Sequence, residues 1–200
     1  RTWVLSRLAV EMEEMPVQYT KFFVETWVEG AMKYFTNRNF RVVGEDGRVF
    51  GYGRSVWAMI DTDTRQPQDI LAIHDGAIKG WIETGKECPI EKSSRVKMSA
   101  DASIVRTIDT GYSDVDVNGH VNSVKYIEHV LDLFDIEWHR THRLKRFEIA
   151  YVAESHGGDK LSFYREETAE GEFCVRIVKS PAEASGDVEV CRSKVKFINI

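Results

Sequence analysis

Cysteine is scarce and unpatterned in this chain of 200 residues. The three cysteines, Cys88, Cys174 and Cys191, form no Cys-x-x-Cys pair, which indicates reduced thiols rather than a disulfide framework. Apolar runs are only a few residues long, so no segment spans a membrane, and no charged-then-apolar leader opens the chain. These absences predict a cytoplasmic protein that acts in solution and has no membrane partner.

An excess of basic residues is also missing. The chain has 27 Lys and Arg against 32 Asp and Glu, a net charge of −5, and such a protein repels nucleic-acid backbones unless it carries a basic stripe. One basic cluster, 139–146, contains Arg140, Arg143, Lys145 and Arg146. It is either a solvated loop or a docking patch for an acidic partner. We expect no nucleic-acid partner.

Strand patterns dominate the first part of the chain. With 42% hydrophobic residues, the composition is that of a globular protein, and the length suits one large domain or two small ones. Asp46-Gly47 predicts a type I′ hairpin, with two positive φ angles, between two of the strands. Aromatic and β-branched residues predict strands at 3–10, 22–28, 40–43 and 49–60.

The pattern changes after this antiparallel meander. Residues 61–99 are irregular and predict a short helical stretch followed by a linker, with a domain boundary near 88–100. A strand follows at 104–108. Apolar residues then recur every three or four positions, which predicts a helix with one buried face. The residues of that face are His120, Val124, Ile127, Leu131 and Phe134.

The remaining sequence completes an α+β arrangement. Strands are predicted at 144–153, 161–167, 173–178 and 188–197, with a turn through Pro181, Gly186 and Asp187 before the last one. A strand, a helix and a run of antiparallel strands wrapping that helix is the order of a hotdog fold. Periodicity alone fits other α+β folds equally well.

Polar side chains gather just before this helix and within its first turns. A helix start offers unpaired N–H groups and a positive dipole, which suit the oxyanion of acyl transfer, and Gly119 leaves room for a ligand. Each residue alone also has a structural interpretation, because Asp and Asn cap helices and a single His commonly packs. The cluster consists of Asp114, Asp116, Asn118, His120 and Asn122.

A family resemblance rests on this stretch. Asp116-Val117-Asn118-Gly119-His120-Val121-Asn122-Ser123-Val124-Lys125-Tyr126 resembles the Asp-x-Asn-x-His-Val-Asn-Asn-Val-Lys-Tyr signature of acyl-ACP thioesterases, the plant and bacterial enzymes that release fatty acids from acyl carrier protein. The similarity covers nearly the whole chain. In the first half it includes Thr2-Trp3-Val4-Leu5-Ser6-Arg7-Leu8, Glu25-Thr26-Trp27, Arg38-Asn39-Phe40 and Ser55-Val56-Trp57-Ala58-Met59-Ile60-Asp61.

The resemblance implies two tandem hotdog domains, each an antiparallel sheet wrapping a helix. Residues 1–90 would form the amino-terminal hotdog with the acyl-chain pocket, 91–100 the linker, and 101–200 the catalytic hotdog. The chain opens inside what resembles the family's second strand, so the first hotdog is expected to lack its first strand and helix. The implied catalytic residues are Asp116, Asn118, His120 and Glu154, and Ser155 stands where plant members have Cys.

The expected reaction is hydrolysis of fatty acyl-acyl carrier protein to free fatty acid and carrier protein. Backbone amides near Gly119 and Val121 would hold the carbonyl oxygen, and Asp116 or Glu154 would deprotonate the water. Asn118 would position that water, and His120 would tune the carboxylates or carry the proton. No cofactor and no metal is expected. The acidic carrier protein would dock on Arg140, Arg143, Lys145 and Arg146.

Two other readings stay open. A non-catalytic hotdog could bind acyl chains or acyl carrier, although paired carboxylates speak against a pure binder. A hotdog enzyme could instead act on acyl-CoA or dehydrate a substrate. A serine hydrolase is disfavoured, because the chain has no Gly-x-Ser-x-Gly elbow. Both a monomer and a homodimer are compatible with the sequence.

Overall fold

The chain folds into two compact units. In the computed structural model, which describes residues 1–180 and 186–200, the first unit is Arg1–Ser93 and the second is Ser94–Ile200. The division falls inside the segment 91–100 that the sequence predicts as a linker. Of the turn predicted before the last strand, Pro181 lies outside the described residues.

The first unit is an antiparallel meander, as predicted. Each strand pairs with a sequence neighbour except that the first pairs with the fourth, so the order is β2-β3-β4-β1. The predicted strand at 40–43 is the centre of a longer one. The bounds are Thr2–Met12 (β1), Phe22–Ala31 (β2), Phe35–Gly44 (β3) and Val49–Ile60 (β4).

The turn between β3 and β4 differs from the prediction. Gly44 N–H donates to Arg48 O at 2.8 Å, and Gly47 N–H donates to Gly44 O at 3.0 Å. Only Gly47 has a positive φ, 83°, whereas a type I′ turn needs two such residues. The turn is therefore a three-residue loop closed by a left-handed glycine, and the type I′ prediction was wrong.

The predicted short helical stretch is a 3₁₀ segment, Ile70–Trp81, rather than an α-helix. Asp69 caps it by accepting a hydrogen bond from Leu71 N–H at 3.0 Å. The segment is interrupted at 74–76, where three successive residues adopt left-handed φ values. Among the described residues of this unit there is no α-helix.

The second unit has five strands in the order β6-β9-β8-β7-β5, all antiparallel. Its first helix, Ser123–Leu131 (α1), buries Tyr126 and Val130. A second helix, Ile136–Thr141 (α2), was not predicted, because its sequence reads as a charged loop. The strands are Ser103–Asp109 (β5), His142–Tyr151 (β6), Lys160–Ala169 (β7), Glu172–Ser180 (β8) and Val188–Asn199 (β9).

Helix α1 begins later than the apolar spacing predicts. The Asn122 side chain accepts a hydrogen bond from Val124 N–H at 2.9 Å and so caps the helix. His120 therefore lies before the helix, in an extended pair with His156. The polar cluster thus belongs to the loop that enters α1 and not to its first turns.

Strand β6 also ends earlier than predicted. The N–H groups of Val152 and Ala153 both donate to Val190 O, at 2.8 and 3.2 Å, so two residues oppose one and the ladder stops at Tyr151. Glu154 consequently lies in an irregular segment. Strand alternation does not set the direction of its side chain.

Candidate functional site

The predicted catalytic motif forms a tight turn. Asp116 N–H donates to His120 O at 2.8 Å, and Gly119 N–H donates to Asp116 O at 3.0 Å. Gly119 has a φ of 81°, and a Cβ there would meet no atom within 4 Å. The positive φ therefore favours glycine at this position, and protein atoms do not crowd it.

The Asp116 carboxylate organises this turn. Its Oδ1 accepts hydrogen bonds from the N–H groups of Asn118, at 2.8 Å, and His120, at 3.3 Å. Its Oδ2 lies 3.4 Å from Asn118 Nδ2. Burial raises the pKa of Asp116, but these hydrogen bonds outweigh it and hold that pKa below its ordinary value. Asp116 is therefore ionised at neutral pH and a poor proton acceptor.

The two backbone amides predicted to hold the carbonyl oxygen are already engaged. Gly119 N–H donates within the turn, and Val121 N–H donates to Ser155 O at 2.8 Å. An oxyanion needs donors aimed at it and free to bind it. The assignment of Gly119 and Val121 as oxyanion donors is therefore corrected by these hydrogen bonds.

Glu154 lies beside this turn. Its Oε2 is 3.4 Å from His120 Nε2, and the side chains of Glu154 and His120 are 43% and 28% exposed. The His156 ring meets the His120 ring edge-on, with centroids 5.0 Å apart. A carboxylate and an imidazole thus stand in contact with each other and with solvent, an arrangement that can activate a water molecule.

The structure brings the four predicted residues into one chain of contacts. Asn118 and His120 bind Asp116 in the turn, and His120 in turn meets Glu154. The sequence supplied three of these residues as one motif. Glu154 was predicted only from the family resemblance. Its contact with His120 depends on the backbone pairing of His120 with His156.

A buried pair beneath the turn escaped the sequence analysis. Asp114 Oδ1 lies 2.9 Å from His129 Nε2, and Asp114 Oδ2 accepts from Gly111 N–H at 2.8 Å. Asn122 N–H donates to Asp114 O at 2.8 Å. These bonds tie the loop to α1. The available signal was spacing, since His129 follows the buried Tyr126 by three residues and so shares its helix face.

The ionisation of Asp114 follows from these contacts. Burial raises the pKa of Asp114, but the Gly111 N–H and the His129 ring outweigh it and keep that pKa below its ordinary value. Asp114 therefore carries its charge at neutral pH. Its role is to hold the loop, because its carboxylate is buried and already engaged.

Hydroxyl groups near the site are buried rather than reactive. Ser155 is 0% exposed, so it cannot reach a substrate as a nucleophile. Tyr126 packs beside it, and burial, partly offset by Ser155, raises the pKa of Tyr126 to about 12. Both residues are buried, and Ser155 directly follows Glu154 in the chain.

The basic cluster is less available for docking than the sequence implies. Arg146 Nε binds Glu148 Oε1 at 2.8 Å, with side chains only 13% and 7% exposed, so Arg146 cannot meet a partner. Arg140 pairs on the surface with Glu137. Arg143 and Lys145 are half-buried. The docking assignment of Arg146 is therefore wrong, because β6 turns this side chain inward.

The first unit contains a cavity of about 340 Å³, whose lining includes Arg7, Asn37, Asn39 and Arg54 as well as Met32 and Phe35. Trp27 does not line it and is instead buried against Cys88 and Ile90. Phe22 and Phe23 are 49% and 57% exposed.

The described residues provide neither a metal-binding cluster nor a membrane-spanning helix. Within residues 1–180 and 186–200, no group of three or more His, Cys, Asp or Glu side chains is arranged to hold a metal ion. No helix in the same part of the chain is long and apolar enough to cross a bilayer.

Comparison with known families matches both halves of the chain. Residues 1–73 match the family described as "Acyl-ACP thioesterase N-terminal domain", and residues 97–198 match the "Acyl-ACP thioesterase C-terminal domain". The chain is 28% identical over 156 residues to a chloroplastic palmitoyl-acyl carrier protein thioesterase of Gossypium hirsutum, covering 76% of this chain and 38% of that protein. It is 25% identical to a chloroplastic oleoyl-acyl carrier protein thioesterase of Coriandrum sativum, covering 98% and 56%. The chain thus spans about two fifths to just over half of these curated relatives.

Solved structures show the same likeness. An acyl-ACP thioesterase from Bacteroides thetaiotaomicron superposes with a TM-score of 0.88 at 53% identity, over 98% of this chain and 76% of that one. A 12:0-ACP thioesterase from Umbellularia californica gives 0.82 at 20% identity, over 100% and 76%. A Mycobacterium tuberculosis protein described as a double hotdog fold gives 0.56 at 9% identity, over 98% and 75%. The predicted hotdog-type α+β fold is confirmed.

Proposed function

The chain belongs to the acyl-ACP thioesterase family, and on that premise we propose that it hydrolyses the thioester of a fatty acyl-acyl carrier protein. The reaction adds water across the acyl C–S bond and yields a free fatty acid and the carrier thiol. The observation that carries the proposal is the contact between Glu154 Oε2 and His120 Nε2, 3.4 Å apart and open to solvent. It supplies a base for water beside a motif typical of the family.

Glu154 is the general base of the proposed reaction. Asp116 is the less suitable of the two carboxylates, because hydrogen bonds lower its pKa and occupy both of its oxygens. Glu154 takes a proton from water, the hydroxide attacks the carbonyl carbon and the C–S bond breaks, and His120 relays the proton from Glu154 to the departing sulfur. The leaving thiol has an ordinary pKa of about 8.5, so its departure needs little assistance.

In this scheme Asn118, rather than the backbone amides of Gly119 and Val121, binds the carbonyl oxygen of the substrate. Its Nδ2 carries two protons and makes a single long contact of 3.4 Å, to Asp116 Oδ2. The second N–H is a donor for the carbonyl oxygen as negative charge develops there. Asp116 holds Asn118 and His120 in place and serves as a positioning residue in this proposal.

Acyl carrier protein is the proposed carrier of the substrate, and the acyl chain is proposed to lie in the amino-terminal hotdog. We propose the cytoplasm as the site of action, since the three cysteines are free and buried, as expected in a reducing compartment. Arg140, at 68% exposure, is the remaining strongly exposed group of the predicted docking set. An Arg140→Glu change should raise KM for acyl carrier protein at low salt and have little effect at high salt.

The test is thiol release from acyl-acyl carrier proteins of graded chain length, with acyl-CoA of the same lengths as the second substrate. We expect the wild type to release thiol from the carrier-bound substrates, and we expect the Glu154→Gln variant to lose this activity. Equal turnover of acyl-CoA would reassign the carrier. Binding of acyl carrier protein without any release would favour the non-catalytic alternative.

A further inference from the structure

Glu154 lies on backbone that no strand ladder holds. Strand β6 ends at Tyr151 and β7 begins at Lys160, so Glu154 lies between two strands, and its side chain is 43% exposed. Other groups must therefore hold the segment 152–159, because the distance from Glu154 to His120 depends on where this backbone lies.

A largely buried ammonium group provides such a hold. Lys179, on β8, donates from Nζ to Glu154 O at 2.6 Å. The same Nζ lies 3.7 Å from Asp159 Oδ2, and the side chains of Lys179 and Asp159 are only 14% and 8% exposed. A charge buried this far is costly unless it is paired and hydrogen bonded. Both Lys179 contacts therefore stabilise the structure more than the same contacts would on the surface.

Asp159 extends the hold to the other side of Glu154. Its Oδ2 accepts a hydrogen bond from His156 N–H at 2.9 Å. Lys179 thus binds the Glu154 carbonyl directly and reaches His156 through Asp159. His156 is in turn the backbone partner of His120, so the contacts of one ammonium group lie on both sides of the proposed base.

We propose that Lys179 is a positioning residue that keeps the Glu154 carboxylate against His120; this role rests on the proposed function of Glu154. Displacement of a catalytic group by about 1 Å can cost on the order of 100-fold in rate. Lys179 therefore supports turnover without touching the substrate, and its loss should lower kcat and leave KM within about twofold, since it makes no ground-state contact.

The decisive experiment separates positioning from simple charge balance. Lys179→Met removes the donor and leaves the Asp159 charge without the Lys179 cation, whereas the double change Lys179→Met with Asp159→Asn removes both charges. We expect kcat to fall roughly 10- to 100-fold in both, because Glu154 O lacks its donor in each. Lys179→Arg keeps a donor and should recover part of the loss. Recovery of kcat in the double variant would overturn the proposal.

A readout independent of activity completes the test. Hydrogen exchange at the Val121 amide, which donates to Ser155 O, and at the His156 amide should be faster in Lys179→Met than in the wild type. Lys160→Met is the matched control, because Lys160 pairs with Asp109 at the surface, at 55% and 76% exposure, and should change neither exchange nor kcat. Unchanged exchange at both amides in Lys179→Met would overturn the proposal. A wild type that releases no thiol would instead reject the proposed function. Hydrogen exchange would still test whether Lys179 holds the segment 152–159.

Discussion

Two turns of this protein share one backbone geometry and differ in what lies against them. In Gly44–Arg48 and in Asp116–His120, the first N–H donates to the fifth carbonyl at 2.8 Å, and the fourth N–H donates to the first carbonyl at 3.0 Å. The glycine at the fourth position has a φ of 83° in one and 81° in the other. The same hydrogen bonds thus build both turns.

The side chains and the neighbouring segment make the difference. The fifth residue of the first turn, Arg48, pairs with Glu14 at the surface. The fifth residue of the second, His120, meets Glu154 and the His156 ring. The second turn is therefore a candidate site because a later segment of the chain brings a carboxylate, Glu154, into contact with it. The following tests compare how changes in and around the two turns affect activity and stability.

The largest effect is expected from changing the fifth residue of each turn. His120→Ala should lower kcat by about 100-fold or more if the imidazole takes part in proton transfer. Arg48→Ala, at the equivalent position of the first turn, should leave kcat unchanged. Steady-state thiol release from acyl-acyl carrier protein measures both. Similar rates for the His120→Ala variant and the wild type would remove His120 from the mechanism.

A smaller effect is expected from the buried carboxylate beneath the second turn. Asp114→Asn should destabilise the fold by about 1 to 3 kcal/mol at pH 7, because it weakens a buried charged hydrogen bond. The lowered pKa of Asp114 means that its stabilisation is present above the unfolded pKa, about 3.9, and is lost as pH falls through the folded value.

Denaturant unfolding as a function of pH measures this difference. The wild type and the Asp114→Asn variant should converge as the pH falls from about 4 through the lowered pKa of the folded protein, since the wild-type carboxylate is protonated only below that value. Asp46→Asn in the exposed first turn is the control and should change stability little at any pH. A gap between wild type and Asp114→Asn that persists in acid would assign the effect to packing instead.

The two glycines should respond alike in stability and differently in activity. A Cβ at Gly47 or at Gly119 would meet nothing within 4 Å, so Gly→Ala costs only the left-handed conformation, roughly 1 to 2 kcal/mol in each case. Chemical denaturation should show equal losses. Only Gly119→Ala should also lower kcat, because strain there moves Asn118 and His120. Equal activity of the two variants would mean that the second turn tolerates distortion.

The smallest effect is expected from removing the buried hydroxyl of Tyr126. Tyr126→Phe should change stability by no more than about 1 kcal/mol at pH 7. Burial raises the pKa of Tyr126 to about 12, so the wild type loses stability as pH rises from the unfolded value of about 10 through that value. Thermal unfolding at alkaline pH should therefore favour the Phe variant. A wild type that matches the Phe variant there would contradict the burial argument.

Local patterns predicted most of the elements and few of their ends. Strands β1 to β9 were all anticipated, because alternation and β-branched residues act over a few neighbours. The start of α1 was placed too early, since the apolar spacing extends past the Asn122 cap. The end of β6 was placed too late, because Val152 and Ala153 share one partner carbonyl on β9. Such ends depend on partners remote in sequence.

Within the candidate site, local sequence is enough to predict the motif Asp116, Asn118 and His120 and the glycine of their turn, because these residues act within five successive positions. Three other features depend on tertiary contacts: Glu154 lies beside His120, Val121 N–H donates to Ser155 O, and Arg146 turns inward to Glu148. Each of these outcomes joins segments that are far apart in the chain, and hydrogen bonds and burial are settled only once those segments meet.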